Sequence, residues 1–170
     1  KAEATPVQIG RVYYGSGSQR IENTDSDWFS FEVAEDSCVN ITFSHLDHKI
    51  PSAGWTIRLY NEFDQLISDF TSKLSDVLIK TGSLGLRKGK YYIQVETQTP
   101  VVDTYKIQVG ADTAVNHEFE INDNPALATD LPMNLAISGS LADKVLSLDK
   151  DYYKFTVPAD GVVSFEFAHN

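Results

Sequence analysis

The chain has 170 residues, 42% of them hydrophobic and 11% aromatic, and a formal charge of -10 at pH 7. That length suits one well-buried core of about 100 to 150 residues plus a remainder, and the composition excludes a disordered chain. The charge argues against nucleic acid and anionic lipid as partners, because both select clustered Lys and Arg, and it favours cations.

No apolar run approaches the roughly 20 residues needed to cross a bilayer, so membrane insertion is not expected. A single cysteine, Cys38, excludes an intrachain disulfide. No signal peptide precedes Lys1, so a secreted origin implies a processed or excerpted chain.

In chain order, the apolar residues alternate rather than recur at helical spacing. The first alternation, WFSFEV, sets Phe29, Phe31 and Val33 on one face, and VNITF then does so with Val39, Ile41 and Phe43. WTIRL comes next with Trp55, Ile57 and Leu59, then YYIQV with Tyr91, Ile93 and Val95, and YKIQV with Tyr105, Ile107 and Val109. Polar breaks at Glu35-Asp36-Ser37, Asn61-Glu62-Phe63-Asp64 and Arg87-Lys88-Gly89-Lys90 have the length of hairpin loops. Many short half-buried strands at this spacing predict an all-β, antiparallel, jelly-roll-like β-sandwich.

The chain then restarts. A slide of 124 positions lays residues 1–46 on 125–170 without a gap, matching Ala4-Thr5 to Ala128-Thr129 and Gly15-Ser16 to Gly139-Ser140. It also matches Asp25-x-Asp27 to Asp149-x-Asp151, Phe31 and Val33 to Phe155 and Val157, and Phe43-x-His45 to Phe167-x-His169. The expected organisation is a sandwich at 1–113, an acidic linker at 114–124, and the N-terminal part of a second, incomplete repeat at 125–170. Such a fragment cannot close its own core, and its open edges invite pairing. Two explanations are open: an excerpt of a tandem array, or a half-domain completed by another molecule.

Between the copies runs EFEINDN. In extended backbone Glu118, Glu120 and Asn122 share a face with period two, and Asp123 comes directly after, concentrating oxygen donors over about 15 Å of chain. Calcium takes six to eight such oxygens in flexible geometry. The segment offers about four, and Ser140, Asp149 and Asp151 would supply more. The same residues also read as a solvated acidic linker. Asp27 and Asp151 have a further reading, as short acids that accept backbone hydrogen bonds in the turn before a strand.

The ordered series E-x-E-x-N-D-N, A-x-A-T, G-S and D-x-D-Y-Y-x-F-x-V-P resembles the start of the bacterial pre-peptidase C-terminal domain family, and is similar to the collagen-binding domains of clostridial collagenases. The first copy continues in the same style through His45, Trp55-x-x-x-Leu59-Tyr60-Asn61 and Gly89-Lys90-Tyr91-Tyr92-Ile93-x-Val95. The resemblance implies a non-catalytic, extracellular jelly-roll module that attaches a larger secreted protein to a polymer, either a collagen-like protein or a polysaccharide. It also implies calcium held by Glu118, Glu120, Asn122 and Asp123, completed by Asp149, Asp151 and Ser140. In the first copy Glu3 is the only acid among residues 1–21, the stretch that would carry the linker ligands, so no equivalent site is expected there. The family's ligand surface is rich in exposed aromatics. Tyr92 is the candidate here, because it faces outward when Tyr91 and Ile93 face inward.

Catalytic readings find no support. His45 and His48 lie on opposite sides of a strand, with no third ligand near. Gly15-Ser16-Gly17-Ser18 lacks both the spacing of a nucleophile elbow and the lysine of a phosphate loop. Cys38, aimed outward by alternation with Val39, has no base beside it. The alternative function is a structural repeat of a surface adhesin or stalk that self-associates through its incomplete second copy.

Overall fold

The computed structural model describes residues 1–17, 25–46, 53–73, 75, 78–97, 103–141 and 149–169. Ser18 and His48 lie outside the described residues. Up to Thr113 the strands are β1 (Thr5–Pro6), β2 (Val12–Gly17), β3 (Ser26–Val33), β4 (Ser37–His45), β5 (Ala53–Asn61), β6 (Leu66–Lys73), β7 (Leu78–Lys80), β8 (Leu84–Leu86), β9 (Gly89–Thr97) and β10 (Asp103–Thr113). One sheet has the order β1-β3-β9-β5-β6 and the other β2-β10-β4-β7, with β8 also beside β4.

Each of the five alternating segments forms a strand and turns its apolar face inward. Phe29, Phe31, Val33, Val39, Ile41 and Phe43 are buried, as are Trp55, Ile57, Leu59, Tyr91, Ile93, Val95, Tyr105, Ile107 and Val109. The centre is aromatic: the Trp55 ring lies 5.1 Å from Tyr105 and 5.7 Å from Phe43, in edge-on and tilted arrangements. Burying faces of this kind, at roughly 25 cal/mol per Å² of apolar area, is what holds two sheets together.

Two details refine the expected fold. First, only one of the three polar breaks is a hairpin loop. Asn61–Asp64 joins the antiparallel neighbours β5 and β6, and the Asn61 side chain accepts from the N–H groups of Phe63 and Gln65, each at 3.0 Å. The breaks after Val33 and Leu86 instead carry the chain from one sheet to the other, because the strands they join, β3 with β4 and β8 with β9, lie in different sheets. These two crossings are tied together, as Asp36 Oδ1 accepts from the Lys88 N–H at 2.8 Å. Second, among the otherwise antiparallel neighbours of the two sheets the short β1 runs parallel to β3.

After Thr113 the described structure holds a 3-10 turn at Pro125–Leu127 and two short strands, β11 (Thr129–Asp130) and β12 (Tyr153–Lys154). These strands pair in parallel, Thr129 opposite Tyr153 and Asp130 opposite Lys154. Near the N-terminus Thr5 lies opposite Phe29 and Pro6 opposite Ser30. The N–H of Val7 donates to Ser30 O at 2.8 Å, and the N–H of Leu131 to Lys154 O at 2.8 Å. Phe155, Val157, Phe165 and Phe167 are all exposed, whereas Phe31, Val33, Ile41 and Phe43 are buried.

Candidate metal centre

The acidic stretch is not solvated. Glu118, Glu120 and Asn122 are 0%, 6% and 0% exposed, while Phe119 and Ile121 between them are half-buried. The three polar side chains share one face, as period two requires, and that face is covered.

Backbone hydrogen bonds fix the stretch on both sides. The Glu118 N–H donates to Ser138 O at 2.9 Å, and the Glu120 N–H donates to Gly85 O, in β8, at 2.8 Å. The N–H of Tyr152 donates to Asn122 O at 3.1 Å. Contact with β8 is close enough to require glycine: a Cβ on Gly85 would stand 1.8 Å from the Glu118 carbonyl oxygen. Ile121 packs against the sandwich core, and the Arg87 guanidinium lies 4.9 Å from the Phe119 ring. Asn124 then caps the 3-10 turn, its side chain accepting from the Ala126 and Leu127 N–H groups.

Three carboxylates converge. Oxygens of Glu118, Glu120 and Asp151 lie within 4.8 Å of one another. Glu118 is the most engaged: Oε1 accepts from the Ser140 N–H at 2.6 Å, and Oε2 accepts from Asn122 Nδ2 at 3.2 Å and from the Tyr153 hydroxyl. Burial first, and then the bond to Glu118, holds the Tyr153 phenol well above its ordinary range, so it remains a donor. The Asn122 amide oxygen is buried and accepts no hydrogen bond. A buried acceptor left this way costs about 1 to 3 kcal/mol unless something binds it.

These donors suit a hard cation. Carboxylate and amide oxygens are the ligands calcium selects, and at about 2.4 Å from the ion, ligands on opposite sides are about 4.8 Å apart. Three carboxylates this close, two of them buried and Asp151 half-buried, repel one another, and a divalent ion removes that repulsion.

The sequence-derived ligands separate into those brought together and those that are not. Glu118, Glu120, Asn122 and Asp151 converge, while Asp123 and Asp149 lie outside the three-carboxylate group. Ser140 contributes its N–H, and its hydroxyl turns away to donate to Ser83 O at 2.8 Å. Sequence reasoning passes over Tyr153 as a hydrogen-bond donor to the site and Gly85 as its floor; neither has a local signal. In the sandwich, Asp27 Oδ2 accepts from the Tyr105 hydroxyl at 2.6 Å. Burial raises the Asp27 carboxyl above its usual range, the Tyr105 bond opposes this, and Asp25 adds to it. Asp25 and Asp27 form no three-ligand group among the described residues.

The other sequence candidates resolve into packing. His45 ends β4 in the core, with Nε2 2.9 Å from Ser72 Oγ and Nδ1 2.7 Å from Leu46 O. Ser72 is fully buried, so this serine–histidine pair is packed into the core among the described residues. Cys38 is half-buried, and burial first and Asp112 second raise its thiol above the usual range, which disfavours the nucleophilic thiolate. Tyr92 is half-buried and pairs across strands with Tyr60.

No family profile and no curated protein matches the chain. Among the solved structures similar to it are two of bacterial proteins. One is the pre-peptidase C-terminal domain of collagenase from Bacillus anthracis, 21% identical, covering 63% of this chain and 94% of that one, with a TM-score of 0.48. The other is PliG of Aeromonas hydrophila, a periplasmic inhibitor of g-type lysozyme, 15% identical, covering 64% of this chain and 96% of that one, with a TM-score of 0.39. Both are structural likenesses only.

Proposed function

We propose that the chain is a non-catalytic extracellular module that attaches a larger secreted protein to a polymer, collagen-like or polysaccharide, and that calcium organises the segment between its two repeats. In this reading residues 1–113 are the complete sandwich, 114–124 carry the calcium ligands, and 125–170 open a second repeat. The ligands are Glu118, Glu120, Asn122 and Asp151, with Asp123, Asp149 and Ser140 as outer contributors.

The observation that carries the calcium part is the convergence of Glu118, Glu120 and Asp151 beside the buried amide oxygen of Asn122. The motif series and the buried Ser72–His45 pair favour a binding module over an enzyme. The test is thermal unfolding in excess calcium and in chelator. A ligand bound only by the folded state at 100 times its dissociation constant adds about 2.7 kcal/mol. The expected result is a clear rise in Tm with calcium that Glu118→Gln abolishes; equal Tm values in calcium and chelator would remove the metal from this reading.

A second reading, a self-associating repeat of an adhesin or stalk, is favoured by one observation. Phe155, Val157, Phe165 and Phe167 lie exposed at positions whose first-copy counterparts form the core. In this reading strands from a neighbouring copy cover that face.

A further inference from the structure

Outside the acidic group, the outer face of the first sheet carries a second constellation. Trp28, Tyr92 and Tyr60 belong to the adjacent strands β3, β9 and β5, and alternate with the inward-facing Phe29, Ile93 and Leu59. Tyr60 stands directly opposite Tyr92, and its ring lies 5.6 Å from that of Trp28. Alternation thus forces three aromatic rings onto one outward patch.

A cation is seated among them. Lys1 Nζ is 4.8 Å from the Tyr60 ring centre, 4.9 Å from Tyr92 and 5.6 Å from Trp28. It also pairs with the Asp64 carboxylate on the β5–β6 loop and lies 3.5 Å from Asn61 O. Ring faces are negative, so three of them around one point, with a carboxylate and a carbonyl, make a receptor for an ammonium group. The neighbouring Arg58 does not compete for it, being bound to Glu96 at 2.5 Å.

We propose that Trp28, Tyr60, Tyr92 and Asp64 form a site for the lysine side chain of a polypeptide ligand, and that Lys1 occupies it as an intramolecular competitor. This deepens the attachment reading, on which it rests, by naming the chemistry that the module grips. Three features support exchange. Asp64 is 77% exposed, so the site opens to solvent on that side. The overall charge of -10 draws cationic polymers. Lys1 itself shows which group the rings accept.

The test titrates the chain with a short oligolysine peptide capped at both ends, and with the same peptide acetylated on every side chain. Binding is followed by the fluorescence and indole resonance of Trp28, the other tryptophan, Trp55, being buried. Lys1→Ala should bind oligolysine at least about fivefold more tightly than the unaltered chain, and adding Tyr60→Leu or Asp64→Asn should lose that gain. The acetylated peptide should not bind. Equal affinity with and without Lys1, or affinity that survives Tyr60→Leu, would mean generic attraction to an acidic protein and overturns the proposal, as does binding of a neutral oligosaccharide alone. Each titration is run in calcium and in chelator, so loss of the metal effect is read separately from loss of lysine recognition.

Discussion

Tyr91 illustrates how single residues record the core at the level of protons. Burial pushes its phenol up to about 12 from 10.0, with Asp36 adding to the shift and Arg87 opposing it. Burial holds Tyr105 and Tyr153 above the ordinary range as well. A folded state that binds these protons more tightly than the unfolded chain has their contribution in full below pH 10.0 and loses it as pH rises toward about 12. For Tyr91, which keeps some contact with solvent, screening leaves an effect of order 1 to 2 kcal/mol. Stability measured by denaturant should therefore fall steeply above pH 10.0, and an ultraviolet titration should show a set of phenols that ionise only when the chain unfolds. A titration in which all tyrosines ionise together at the ordinary value, before unfolding, would contradict this burial.

At the scale of elements, the contact between β8 and the acidic stretch tests the site most directly. Gly85→Ala places a methyl group 1.8 Å from the Glu118 carbonyl oxygen, so the backbone there must move. Overpacking of this kind costs about 1 to 3 kcal/mol, and it also displaces the Glu120 N–H from Gly85 O. We expect Gly85→Ala to lower Tm by a comparable amount and to blunt the calcium response, whereas Gly82→Ala, with nothing near its would-be Cβ, should leave both unchanged. Equal calcium responses in the two variants would detach the site from β8.

The same scale shows what is legible in the sequence. Strands β3, β4, β5, β9 and β10 alternate strictly and are readable, because each has one face in the core and one outside. Strand β6 is not, since Ser68, Asp69 and Ser72 are buried beside Ile67 and Phe70 and erase the alternation. The two-residue β1 is too short for any period. Within the site, Glu118, Glu120 and Asn122 are legible as one face because their spacing is local. That this face is buried is not, because its cover comes from Gly85, Ser138 and Tyr153, distant in sequence. The aromatic patch escapes the sequence for a similar reason. Along its own strand Tyr92 is succeeded by Gln94 and Glu96, and its aromatic neighbours Tyr60 and Trp28 come from the strands on either side.

At the scale of the whole molecule, the apolar residues of 155–169 stand out. Phe167 is 88% exposed and Phe165 is 68% exposed, and no strand forms in 155–169. Contiguous apolar surface of this kind drives association. We expect sedimentation to show concentration-dependent dimers or larger species, and Phe165→Asp with Phe167→Asp to return the chain to a monomer without changing the unfolding of the sandwich. A monomer at all concentrations would remove the second functional reading. Hydrogen exchange offers an independent check, with slow amides in β4, β9 and β10 and fast ones in 155–169.

The five residues from Glu118 to Asn122 are hydrogen-bonded through backbone to Gly85, which precedes them in the chain, and to Ser138 and Tyr152, which follow them. A segment held by hydrogen bonds to several backbone partners cannot rotate about its own axis without breaking one of them. We expect the connection between the sandwich and the segment from Pro125 onward to resist twist, a keyed shaft rather than a swivel.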